Sequence, residues 1–179
     1  LEKEGFTIFN TKTGVEKLRE LYISSKSLNE MGFNVRVGKV VWNQVKDKLT
    51  NDETKTRLIY NSDIINNELQ IKKYKNEAKK NYIDKNGKRE ALLVVNRGYG
   101  KGTYKFSYCL INMEKEYLIE NHLICIESKE EIEKTLLLEK YRIIIESLEN
   151  NKTIEFVKLY FGNNAINTTE LNYMLPIFI

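Results

Sequence analysis

Along the first third of the chain the apolar positions change their period. Val15, Leu18 and Tyr22 recur at helical spacing behind Thr13-Gly-Val-Glu16, where Thr13 is placed to cap and Glu16 to reach back. A short helix is predicted there. Ser27-Leu-Asn-Glu30 repeats the pattern with Gly32 as a natural left-handed stop, which predicts a second one. From Phe33 the period falls to two. Phe33, Val35, Val37 and Val41 alternate with Asn34, Arg36 and Gly38, the signature of a half-buried strand. Residues 57–60 predict another short strand, and the unbroken apolar run 91–95 predicts a central one. Tyr104, Phe106, Tyr108 and Leu110 alternate again, and 117–126 reads as one further strand. The polar tip Asn112-Met-Glu-Lys115 predicts a hairpin between these two.

The last third is helical. Ser128-Lys-Glu-Glu131 predicts the start of the longest helix, with Leu137, Tyr141, Ile144, Ile145 and Leu148 on its apolar face. Thr153 is placed to cap a helix carrying Phe156, Val157 and Tyr160, stopped by Gly162, and a short helix is predicted from Thr168. The sum is an α+β chain: a mostly antiparallel twisted sheet with flanking helices and a helical C-terminal part. A single domain of 179 residues is expected, with a helical lead-in (1–32), a sheet-rich basic part (33–126) and a helical acidic part (127–179).

Charge sharpens that division. Residues 1–105 hold 22 Lys and Arg against 13 Asp and Glu, whereas 106–179 hold 7 against 12. Such a split suggests one surface turned to a polyanion and another to solvent or protein. Cys109 and Cys125 sit in apolar runs without CxxC spacing, as buried thiols in a reducing cytoplasm would. No apolar stretch approaches the ~20 residues of a membrane span, so no membrane partner is expected.

Tests for catalysis fail. His122 is the sole histidine, with no second His or Cys cluster to complete a metal site, so no metal is expected. P-loop, GxGxxG and GxSxG patterns are all missing, as is a convincing Asp…(Asp/Glu)-x-Lys nuclease arrangement.

Binding signals do accumulate. The segment from Lys72 to Arg89 carries eight positive charges against Glu77 and Asp84; it reads either as a phosphate grip or as a solvated loop. Asn96-Arg-Gly-Tyr-Gly-Lys-Gly102 offers glycine freedom with a fork donor, a ring and a point charge, and reads either as a binding loop or as a hairpin turn. Trp42-Asn-Gln-Val-Lys-Asp-Lys48 brings two adjacent amides, the side chains that pair with adenine edges, beside two lysines. The amides also suit turn-capping, and Trp42 suits either packing or stacking on a base.

Three ordered blocks carry a resemblance. Gly32-Phe-Asn-Val-Arg-Val-Gly-Lys-Val-Val-Trp-Asn-Gln-Val-Lys-Asp-Lys-Leu-Thr50 is followed by Arg57-Leu-Ile-Tyr-Asn-Ser-Asp-Ile64. Asn96-Arg-Gly-Tyr-Gly100 comes next with Tyr104-Lys-Phe-Ser-Tyr108 and Glu120-Asn-His122. Asn163-Asn-Ala-Ile-Asn-Thr-Thr-Glu-Leu171 and Leu175-Pro-Ile-Phe178 close the set. Together they resemble the C-terminal target-recognition region of N6-adenine DNA methyltransferases of the type II restriction–modification class. The resemblance implies sequence-specific reading of double-stranded DNA, with no catalytic residue in this chain. It also implies an upstream methyltransferase domain as partner, and that domain, not this chain, would hold S-adenosylmethionine. The chain, which begins at Leu1, is then expected to be a piece of a longer cytoplasmic enzyme.

The resemblance further implies DNA contacts from Arg36, Lys39, Asn43, Gln44, Lys46, Lys48, Arg57, Arg97, Tyr99 and Lys101. Asn43, Gln44 and Arg97 are the candidates for base edges; Lys46, Lys48, Arg57 and Lys101 are those for the backbone. Asn121 and His122 read either as further contacts or as a structural cluster. A protein-interaction or assembly module without DNA binding is the competing reading. It rests on Leu136 and Ile143, which lie off the main apolar face of the long helix.

Overall fold

Thr11, not Thr13, opens the first helix: its hydroxyl accepts from the Gly14 amide at 3.1 Å ahead of α1 (Lys12–Tyr22). The computed structural model describes residues 1–98, 104–160 and 165–179. Its helices and mainly antiparallel sheets make it α+β. The chain folds into two compact units, which interleave along the sequence instead of following one another. Leu1–Val35, Arg97–Phe106 and Glu127–Ile179 form a helical unit; Arg36–Asn96 and Ser107–Ile126 form a sheet unit.

In the helical unit, α1 packs on α3 (Asn151–Tyr160), and α2 (Lys134–Glu149) packs on α3 and on the strand Ile177–Phe178. The face of α2 is close to the expected one. Leu137, Tyr141, Ile144 and Leu148 are buried, Ile145 is only half-buried, and Ser147 joins them by accepting the Phe178 amide at 2.9 Å. Phe156 of α3 meets Tyr22 edge-on at 5.7 Å and stacks on Tyr160 at 5.2 Å. Each fully buried large side chain of this kind stabilises by about 1.5–3 kcal/mol.

Several expected starts move. Ser27 and Glu30 exchange both capping-box bonds, at 2.7 and 3.0 Å, yet the chain makes one turn and leaves through Gly32 (φ +84°) into the strand Phe33–Val37. No second helix forms there. Ser128 ends a strand, and Glu133 caps α2 by accepting from the Thr135 and Leu136 amides. Thr153 lies inside α3, its hydroxyl bonded back to the Ser147 carbonyl, while Asn150 Oδ1 accepts the Lys152 amide at 2.9 Å. Near the end the short helix expected from Thr168 does form, over 168–174, and Asn167 and Glu170 make the reciprocal pair, at 2.9 and 2.8 Å, that opens it. Gly162 lies outside the described residues.

Two four-stranded sheets are formed, and all their residues except 33–35 and 127–128 belong to the sheet unit. One runs in the order Tyr108–Ile111, Leu92–Asn96, Leu123–Ser128, Phe33–Val37, so the apolar run is central as its composition demands. The other runs Tyr117–Ile119, Thr56–Ile59, Tyr82–Ile83, Leu49–Thr50, and its first pair is parallel. A core of Leu92, Val94, Cys109, Ile111, Leu123 and Cys125 from the first sheet meets Ile59, Tyr117 and Ile119 from the second. The opposite face of the second sheet is covered too. Leu58, Tyr60 and Ile83 pack there with Val40, Trp42 and Val45.

The segment 117–126 is therefore two strands, not one, and the expected hairpin is not made. Glu120, Asn121 and His122 form a corner that carries the chain from one sheet to the other. Glu120 N donates to Ile59 O and Asn121 N to Val40 O, at 3.0 and 2.9 Å, and these long-range bonds turn the backbone. Tyr108–Ile111 pairs instead with Leu92–Asn96. A hairpin absent from the sequence reading joins Ile64–Ile65 to Glu68–Leu69 through Asn66 and Asn67, both at positive φ (52° and 64°). No helix among the described residues is long and apolar enough to cross a membrane.

Candidate nucleic-acid interface

Trp42 and Val45 insert into the second core while Asn43, Gln44, Lys46 and Lys48 face outward. Two consecutive 3-10 turns, Trp42–Gln44 and Lys46–Lys48, produce this alternation, because threefold periodicity puts positions 42 and 45 on one side. The Gln44, Val45 and Lys48 amides close the turns onto Val41, Trp42 and Val45 carbonyls at 3.0–3.2 Å. Lys46 Nζ lies 5.6 Å from the Trp42 ring centroid. The two amides and two lysines expected at DNA thus share one braced, exposed segment. Trp42 is a packing residue here.

Arg57 stands elsewhere. It is 3% exposed; its Nη2 donates to Asp63 Oδ2 at 2.9 Å, and its Nη1 donates to the carbonyl and the side-chain oxygen of Asn81 at 2.8 and 2.7 Å. A guanidinium committed in this way has no face for a phosphate, so Arg57 is an interior residue and not a backbone contact. Asp63 is fully buried and also accepts from the Tyr60 amide at 3.1 Å and from the Tyr74 hydroxyl. Burial first, then the bond to Asp63, raises the Tyr74 phenol well above its ordinary range.

This cluster organises the Lys-rich stretch. Asn81 Nδ2 donates to Lys72 O at 2.9 Å, Tyr60 hydroxyl to Lys80 O at 2.8 Å, and Gln70 N to Asp63 O at 2.8 Å. Lys79 Nζ sits 4.0 and 4.4 Å from the Tyr60 and Tyr74 ring centroids, and burial holds its pKa below the usual lysine value. Lys79 is consumed by the fold, whereas Lys73, Lys75, Lys85 and Arg89 are exposed. The stretch is neither wholly a solvated loop nor wholly a charge run.

Arg36 and Lys39 border a pocket in the sheet unit. Arg97 belongs to the helical unit, where its carbonyl accepts from Ile166 N at 2.9 Å. Tyr99 and Lys101 lie outside the described residues. His122 is about half exposed, its ring paired with the buried Glu120 carboxylate; Asn121 Oδ1 is buried without a hydrogen-bond partner. By sequence content the sheet unit has 15 Lys and Arg against 11 Asp and Glu, and the helical unit has 14 of each. The entire net charge of +4 therefore belongs to the sheet unit.

Sequence reasoning missed Asp63, Tyr74 and Asn81. Their only signal was an acid six residues from an arginine within an apolar stretch.

No protein-family model matches the chain, and no curated protein matches it. Among solved structures, a chain of a type I R-M (restriction–modification) system, studied for its complex assembly and conformational transition, is similar over 92% of this chain. The TM-score is 0.50 at 12% identity, and the match covers 40% of the solved chain. The likeness is one of fold, and this chain spans well under half of its neighbour's length.

Proposed function

We propose that this chain is a duplex-DNA recognition module of a restriction–modification enzyme. Its finer assignment is target recognition for adenine-N6 methylation, beside an upstream domain that binds S-adenosylmethionine. The observation that carries this is the Trp42–Lys48 segment. Asn43, Gln44, Lys46 and Lys48 stand exposed on turns whose Trp42 and Val45 pack against the core. Amide side chains so fixed suit bidentate contact with adenine N6 and N7, and the lysines suit flanking phosphates. The net positive charge of the sheet unit and the fold shared with a restriction–modification chain support the same reading.

Selection from a pool of randomised duplexes, using the intact chain, tests it. A short enriched sequence is expected, and Gln44→Ala should relax one of its positions by about 1–3 kcal/mol. Recovery of the pool unchanged counts against the assignment.

A second reading concerns the helical unit alone. Phe9 is 90% exposed, and Leu136 and Ile154 about half exposed. Such residues suit an assembly surface, as in the complex to which the fold neighbour belongs. Light scattering of the intact chain reads this out: self-association abolished by Phe9→Ser supports it, and a strict monomer argues for DNA recognition alone.

A further inference from the structure

Residues 70–81 hold five lysines against Glu77 and form neither helix nor strand. Ordering such a stretch costs chain entropy and crowds like charges. Side chains of the sheet unit hold it in place nonetheless. Tyr74 packs on Val40, Leu58, Tyr60 and Ile83, the four buried residues that also seat Trp42 and Val45. Its hydroxyl donates to Asp63. The Asn81 amide and the Tyr60 hydroxyl donate to the carbonyls of Lys72 and Lys80 at 2.9 and 2.8 Å.

One small core thus anchors two segments that are distant in sequence, and both present their lysines in the same way. With Val45 turned to the core, Lys46 and Lys48 are exposed; with Tyr74 turned to it, Lys73 and Lys75 on either side are exposed. The acids of the two segments, Asp47 and Glu77, are exposed as well. Among the described residues, none of these four lysines is held in an ion pair. Lys79 registers the same excess of positive charge. Burial holds its pKa below the usual lysine value, and Lys72 pushes it the same way. A solvated charge run needs no anchoring of this kind. Two fixed pairs of lysines without carboxylate partners suit a polyanion whose charges recur at regular spacing.

We infer that residues 72–75 form a second phosphate-binding limb of the DNA interface, in which Lys73 and Lys75 hold duplex phosphates next to those held by Lys46 and Lys48. The inference deepens the DNA-recognition reading and rests on it for the identity of the ligand. Tyr74 is the positioning residue: its ring and its bond to Asp63 fix where the two lysines stand.

The test uses the intact chain and a short duplex. Lysine amines are acylated at low salt with and without duplex, and the extent is read residue by residue by mass spectrometry. Lys73→Gln with Lys75→Gln, both at exposed positions, is then compared with the native chain in a salt titration. Duplex should protect Lys73 and Lys75 together with Lys46 and Lys48. The slope of log affinity against log salt should become shallower by about two units in the double variant, and Lys73→Arg with Lys75→Arg should keep the native slope. Protection of Lys46 and Lys48 alone, with an unaltered slope in the glutamine variant, overturns the limb while the DNA reading stands. A shallower slope without protection at 73 and 75 reports charge acting at a distance and also overturns the limb, as does protection with an unaltered slope. A native chain that binds no duplex at low salt overturns the limb and the DNA reading together.

Discussion

Arg57 Nη2 and Asp63 Oδ2 meet at 2.9 Å with 3% and 0% of their side chains exposed, which makes this ion pair the anchor of the Lys-rich stretch and not part of its charged surface. Asn81, Tyr60 and Tyr74 complete the shell that lets two charges stay in the interior. Removing one partner strands the other without solvent. Asp63→Ala should therefore lower unfolding stability by about 3–5 kcal/mol in a urea titration. In Arg57→Lys, the fraction that stays folded should keep the native salt dependence of DNA binding, because the guanidinium touches no phosphate.

Gly38 allows two backbones to close up. With a Cβ 2.2 Å from Glu120 O and 2.6 Å from Ile119 O, Gly38→Ala must push them apart. A loss of about 1–3 kcal/mol is expected, seen as a lower thermal midpoint. Gly5, with nothing near its Cβ position, carries no such close approach; the penalty there comes from φ +81° alone.

Glu30 gives a pH dependence. It accepts from the Ser27 amide and pairs with Lys3 at 2.9 Å, and these bonds hold its carboxyl below the ordinary 4.5. Because the folded value is depressed, its stabilisation is complete above about pH 4.5 and disappears as the pH falls through the folded value. With 43% of the side chain exposed, the contribution is screened to about 1 kcal/mol or less. Glu30→Gln should accordingly lower stability in the neutral region by about 1 kcal/mol or less, leave the acid end unchanged, and so flatten the acid limb of a stability–pH curve.

Cys109 is 3% exposed, and burial pushes its thiol up to about 11; Cys125 is fully buried. Neither should react with a thiol reagent at pH 8 in the folded chain. Both should react after denaturation, so the modification rate reports opening of the core between the two sheets.

Legibility in the sequence followed the range of the forces involved. The apolar run around Leu93 and the face of α2 were readable because burial repeats locally, at one residue or at 3.6. Glu120 to His122 was not: three polar residues inside an apolar run do not show where a strand ends, and it is the long-range bonds to Ile59 and Val40 that turn the chain. Ser27 and Glu30 formed the bonds their pattern promised, but Gly32 and the strand at Phe33 left no length for a helix. Among the candidate contacts, residues 43–48 were legible through amide and lysine content. Arg57 was not: a charge type does not reveal burial when its partners, Asp63 and Asn81, are distant in sequence. Lys79 was hidden in the same way, between two rings.

The most direct measurement is fluorescence anisotropy of the intact chain with a labelled duplex across a salt series, beside Lys46→Ala with Lys48→Ala. DNA recognition requires binding that weakens steeply with salt, and a double variant whose slope is shallower by about two units across all sequences. A flat salt response, or a double variant that binds as the native chain does, would contradict it.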